Sequence, residues 1–105
     1  MITRIWHGWT SPHNADAYQA LLLEEVFRGI EGRRIDGFLG IDLLRRDAGT
    51  EVEFVTVMQF TSIKAVQAFA GRDYEQAVVP PKARELLARS DETSQHYQTV
   101  RAAGA

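Results

Sequence analysis

His7 stands between Trp6 and Trp9 in a run of β-branched and aromatic residues, Ile2 to Thr10. Histidine changes charge nearest neutral pH, so it can take a proton from a substrate or donate to an anion. The plainer role is a structural imidazole bonded to a backbone carbonyl. His96, near the other end of the chain, carries the same two readings. Two imidazoles alone make an incomplete metal site, because zinc usually takes three or four protein ligands. No metal is therefore expected. Trp6 and Trp9 fall on opposite faces of an extended strand, one for a dimer interface and the other for a pocket or core. Tyr74 follows Gly71 and Asp73 at a loop corner, where its hydroxyl could meet a phenolic ligand. For all three rings, packing is the simpler role. Arg4 alternates with Trp6, and if their face is buried, Arg4 should pair with an acid such as Asp42 or Glu53.

The elements that must hold these side chains follow from periodicity. Ile2 to Thr10 reads as a strand. Ser11 is a helix cap with Pro12 at the first helical position, and Asn14 is a rival cap. From Ala15 to Ile30, Tyr18, Leu22, Val26 and Ile30 recur every four residues, which predicts a helix with a buried face, and Gly29 and Gly32 are its natural stops. Glu24 and Glu25 fall on its wet side. Residues 33–37 form a turn, Phe38 to Arg46 a strand, Asp47 to Thr50 a hairpin loop, and Glu51 to Phe60 the clearest strand. Arg45, Arg46 and Asp47 read as a solvated strand end. Thr61-Ser62 caps a helix carrying Ile63, Val66, Phe69 and Ala70, closed by Gly71. Asp73 caps a further turn, Tyr74 to Val79. Pro80-Pro81 opens a helix over Lys82 to Arg89, and Ser94 to Arg101 forms the last strand. This order is the α+β, ferredoxin-like βαββαβ pattern: a four-stranded antiparallel sheet with helices on one face. Residues 1–101 make one domain, and 102–105 a frayed tail.

The sheet is apolar on both faces. Val52, Phe54, Thr56, Met58 and Phe60 point one way; Val55 and Val57 point the other. Leu39, Ile41 and Leu43 oppose Phe38 and Leu44. Helices of a βαββαβ unit cover one face only, so a second copy is the economical cover for the other. Composition narrows the class further. The 105 residues are 45% hydrophobic and 25% charged, with net charge −2 and no cysteine. That balance argues against nucleic-acid binding and excludes thiolate chemistry and disulfides. The first residues lack a signal peptide's apolar run, and no run suits a membrane span, so a cytoplasmic protein is expected. No Ser-His-Asp order, P-loop or dinucleotide glycine motif is present.

Specific stretches carry a resemblance. They are Ile5-Trp6-His7-Gly8, the Tyr18 helix, Leu44-Arg45-Arg46, Glu53-Phe54-Val55, residues 62–66 and His96-Tyr97. The most specific is the run from Phe69-Ala70-Gly71 through Asp73, Glu75, Ala77 and Val78. From Ile2 to Val100 the chain resembles the antibiotic-biosynthesis-monooxygenase family of dimeric α/β barrels. The resemblance implies a homodimeric β-barrel with a pocket in each subunit between sheet and helices. It implies cofactor-independent oxygenases of aromatic compounds, haem-degrading oxygenases, or neither. The haem branch uses a histidine near Ala77-Val78, an asparagine where this chain has Trp6-His7, and a tryptophan near Ala68-Phe69. All three are missing, and haem iron needs an axial ligand.

The expectation is thus a monooxygenase without cofactor, acting on a small aromatic or quinone-like metabolite. A deprotonated hydroquinone can react with oxygen given a base, anion-stabilising donors and an apolar cavity. His7 is the catalytic candidate, and Trp6, Trp9, Tyr74 and His96 are the substrate-binding ones. The last strand should pair with the first, letting His7 and His96 approach. The alternative is a non-catalytic dimeric barrel that binds a small apolar molecule.

Overall fold

The computed structural model describes residues 1–104. Strand β1 (Ile2–Thr10) sits at the centre of an antiparallel sheet. On one side it pairs with β3 (Val52–Phe60), which in turn pairs with β2 (Phe38–Asp47). On the other side it pairs with two short strands, β4 (Leu87–Ser90) and β5 (Gln95–Gln98). The last strand, expected over Ser94 to Arg101, is the shorter β5, and β4 is an additional strand. The helix expected over Lys82 to Arg89 stops early, at α4 (Pro81–Leu86), and the chain turns extended at Leu87 to pair with Thr10. Between β4 and β5 the chain stays tied to the sheet, since the Asp91 amide donates to the His7 carbonyl at 3.0 Å. The order β2-β3-β1-β4 and the helices on one face make this a ferredoxin-like α+β fold.

Ser11 is the first cap: its hydroxyl accepts from the Asn14 amide at 3.3 Å over a short 3₁₀ turn, Pro12–Asn14. Asn14 caps nothing with its side chain and donates instead to the Leu86 carbonyl. The long helix runs as α1 (Ala15–Leu21), a π-helical turn (Leu22–Val26) and α2 (Phe27–Gly32). It passes Gly29 and ends at Gly32. The π turn explains the four-residue spacing of its apolar positions. In a regular helix that spacing drifts round the axis, and one wider turn restores the stripe. Tyr18 and Leu22 are buried, and Val26 and Ile30 continue the same wall.

Ser62 caps α3 (Ile63–Ala70) through the Ala65 amide. Between Gly71 and Pro80 the turn expected over Tyr74 to Val79 is shortened. A single turn closes from the Gln76 amide to the Asp73 carbonyl at 3.0 Å, and beyond it the bonds are long-range: Ala77 donates to the Glu92 carbonyl at 3.0 Å, and the Glu75 carbonyl accepts from the Ser94 amide at 2.8 Å. Gly37 closes the loop before β2 at φ 88°, where a Cβ would meet the Thr61 hydroxyl at 2.5 Å.

The core lies between helices and sheet. One cluster gathers Tyr18, Leu22, Phe27 and Phe54; the other gathers Met58, Phe60, Val66 and Phe69. A bulge between Phe38 and Gly40 shifts the register of β2. Phe38 thereby joins Ile41 on the core side, opposite to the parity read from the sequence, and Leu39 is left exposed.

Candidate functional site

Alternation along β1 divides its side chains between two places. Arg4 and Trp6 face the helices, and Ile5, His7 and Trp9 face outward. The helix side holds a cavity of about 50 Å³, walled by Trp6, Tyr18, Val26, Phe69 and Val78 among others, with Arg4 in its lining. Val26, Ile30, Phe69, Val78 and Pro80 are shared with an open groove of about 570 Å³ between the long helix and the 78–82 segment. Glu25 and Lys82 meet at the rim at 3.3 Å. The cavity and the groove thus lie on the two sides of one shared wall.

Arg4 is 3% exposed. Its Nη1 donates to the Tyr74 carbonyl and, at 2.9 Å, to His96 Nε2; Nη2 donates to the Gln76 carbonyl at 3.2 Å. The guanidinium also lies 5.4 Å from the centre of the Phe69 ring. Among the described residues no acid pairs with it. The expected partners are on the other face: Glu53 lies opposite Trp9, and Asp42 opposite Val57, which itself faces Ile5. Burial pushes the guanidinium down to about 10, so it remains a cation at neutral pH. An unpaired buried charge costs several kcal/mol, roughly, even when hydrogen-bonded.

His96 stands edge-on to Tyr74, ring centres 5.1 Å apart. Because arginine only donates, His96 Nε2 accepts, and the imidazole is neutral. Burial first, and then the Arg4 charge, lower its pKa below the ordinary 6.5. The unfolded chain therefore takes up this proton first. The contribution is present above pH 6.5 and is lost as pH falls through the lowered value. Thermal midpoints measured from pH 8 to 5 should fall in the parent and fall less in His96→Gln. At pH 8 the variant should melt lower by about 5 °C, the worth of one hydrogen bond. Parallel curves for the two proteins would remove His96 from the account.

The outer face carries a second cluster. His7 Nδ1 and Glu53 Oε2 are 3.0 Å apart, and Arg46 approaches Glu53 at 3.4 Å. His7 stacks with Trp9 at 5.9 Å between ring centres, and Arg89 covers Trp9 at 3.9 Å while pairing with Glu51. His7 and His96 do not meet, because His7 faces outward and His96 lies opposite Arg4 on the helix side. Of the five candidates, only Trp6 lines the cavity, where its indole N–H also holds the Asp91 carbonyl at 2.7 Å. Tyr74 and His96 stand behind Arg4, and Trp9 lies with His7. Sequence reasoning missed Arg4 and Phe69 as cavity residues. The one available signal was the apolar company Arg4 keeps with Ile2 and Trp6.

No family model matches the chain, and no curated relative does. Solved structures do match along nearly its whole length. A candidate antibiotic biosynthesis monooxygenase from Bacillus cereus aligns with TM-score 0.68 and 12% identity, covering 100% of this chain and 96% of that one. The fold is that of these proteins. Rv0793 from Mycobacterium tuberculosis gives 0.63 and 21%, covering 97% of each chain. The haem degrader MhuD (Rv3592), also from M. tuberculosis and solved with two haems in its active site, gives 0.63 and 21%, with 99% and 100% coverage.

Histidine and cysteine, two common haem ligands, are missing from the cavity and the groove, and Tyr18 and Met58 are the ligand types left in the cavity wall. The enclosed space is far below the roughly 300 Å³ of a typical small-molecule pocket. Among the described residues no group of three histidines, cysteines or acids is placed to hold a metal ion. No helix is long and apolar enough to cross a membrane.

Proposed function

We propose that this protein binds a small aromatic or quinone-like metabolite in the helix-side groove and acts on it as a cofactor-independent monooxygenase, working as a homodimer. The observation that carries the reading is the mostly apolar cavity walled by Trp6 and Phe69, which shares a wall with the open groove, inside a fold shared with a candidate monooxygenase. Such a chamber excludes water from an electron-rich ring while oxygen reacts with it. The cavity is small, so a ring occupies the open groove first and displaces the Val26 and Val78 side chains of the shared wall to reach Trp6.

The test is oxygen uptake with a panel of hydroquinones, with no flavin or metal added. At least one should raise uptake about tenfold over the protein-free rate, and Val26→Trp, which fills the groove, should abolish the increase. His7→Ala separates the two faces of β1. A general base is worth about 10²-fold or more. If His7 is that base, its loss removes uptake to this extent; with chemistry confined to the groove, uptake persists. Absence of uptake across the panel would end the oxygenase reading.

The second reading is a binding protein without turnover. It is favoured by one observation: among the described residues, the cavity wall has no carboxylate or imidazole to take a proton. Quenching of Trp6 fluorescence with no oxygen consumed would select it.

A further inference from the structure

The Arg4 contacts described above have a surplus. Two backbone carbonyls and a neutral imidazole need donors, and they do not need a full positive charge. An uncharged amide at this position would serve some of them at far lower desolvation cost. A guanidinium carries five N–H donors, and these contacts use three. The chain thus keeps, in the lining of a mostly apolar cavity whose other polar members are Tyr18, Thr56 and Ser94, a cation with spare donors and no counter-ion among the described residues. Tyr18 lines the same cavity at 1% exposure. The wall opposite the sheet includes Leu22 and Val26 from the π-helical turn, a distortion that is frequent at functional sites.

We infer that the ligand is an anion bound head-first: an ionised oxygen, carboxylate or phenolate, seated against Arg4, with its apolar ring trailing past Phe69, Val78 and Pro80 into the groove. The inference rests on the groove being the ligand site and adds the charge and orientation of what enters it. A bidentate carboxylate suits the two unused donors, and a phenolate oxygen suits one of them. In either case the missing counter-ion is supplied from outside the chain. The preference therefore falls on aromatic acids and acidic phenols over neutral rings of the same shape.

A matched pair of probes tests this: 2-naphthoate and 2-naphthamide, titrated at pH 8 by tryptophan quenching and by calorimetry. The parent should bind the naphthoate at least tenfold more tightly. Arg4→Met should lose that preference while still binding the naphthamide, and Arg4→Lys, which keeps the charge, should retain most of it. Equal affinity of the two probes for the parent protein overturns the inference while leaving the groove as the site. Binding of neither probe overturns both the groove and the inference. The parent's preference is informative by itself, so the result does not depend on Arg4→Met folding.

Discussion

Placing carboxylates at Val55 and Val57 together is expected to turn a dimer into a monomer. Both residues lie on the outer face of β3, where Val55 is flanked by His7 and Leu44, and Val57 by Ile5 and Asp42. Leu44 is 53% exposed in the single chain, and the valines are half-buried. Ile5, Val55, Val57 and Leu44 make an apolar patch interrupted by His7 and Asp42, with Glu53 and Arg46 at one end and Thr3 and Gln59 at the other. A two-fold contact would bury the patch against itself. Two aspartates per subunit place four on the shared surface, beside Asp42 and Glu53. Unpaired buried charges cost several kcal/mol each, roughly, so the dissociation constant should weaken by a factor of at least ~10³. In sedimentation, the parent should have about twice the 11.8 kDa chain mass and the V55D/V57D protein the chain mass itself. Far-UV circular dichroism should not change, because neither side chain belongs to the core. A parent that sediments as a single chain at micromolar concentration would refute the assembly.

Phe60→Ala should produce the largest loss of stability. Phe60 is fully buried at the end of β3, with the Phe38 ring at 5.6 Å and the Phe69 ring at 5.8 Å. Removing a buried phenylalanine costs about 3–5 kcal/mol, from lost transfer energy and the cavity left behind. A domain of this size has about 5–15 kcal/mol in all. The thermal midpoint should fall by about 15–25 °C. Phe60→Leu, which keeps most of the volume, should lose less than about 1.5 kcal/mol. Because Phe69 walls the groove, the alanine variant should also bind aromatic probes more weakly before it melts. A shift below 5 °C would mean that the two aromatic neighbours close over the gap.

Much of this architecture was legible in the residue order. β3 shows a strict period of two, so both of its faces could be read directly, and Ser11 and Ser62 announced their helices. What escaped was whatever depends on register. Pairing between β1 and β3 puts Glu53 across from Trp9 and within reach of His7; no spacing within either strand reveals that contact. The same pairing denies Arg4 its expected acid, which had been sought without knowing which parity faced the helices. The bulge at Phe38 is a one-residue event that periodicity cannot see. The additional strand β4 arises because the helix read past Leu86 lost to the unpaired edge of β1, and Asp91 and Ser94 beyond it bond to distant segments. For the candidate site, the sequence put Trp6 and Trp9 on opposite faces without saying which met the pocket, and Trp6 is the one that lines the cavity. The charge in the cavity lining was missed, because an arginine among apolar residues reads first as a partner for an acid.

The alternation of β1 also determines where this protein can change. Inserting or deleting one residue in that strand would exchange its two rows, sending Arg4 and Trp6 outward and His7 inward. Neighbouring positions on it answer to different demands, so drift there is constrained twice over. The long helix and the 78–82 segment touch the groove without contributing to the outer sheet surface. Descendants that take larger or differently shaped molecules should therefore differ from one another in those two stretches, while the strand between the two surfaces keeps its pattern.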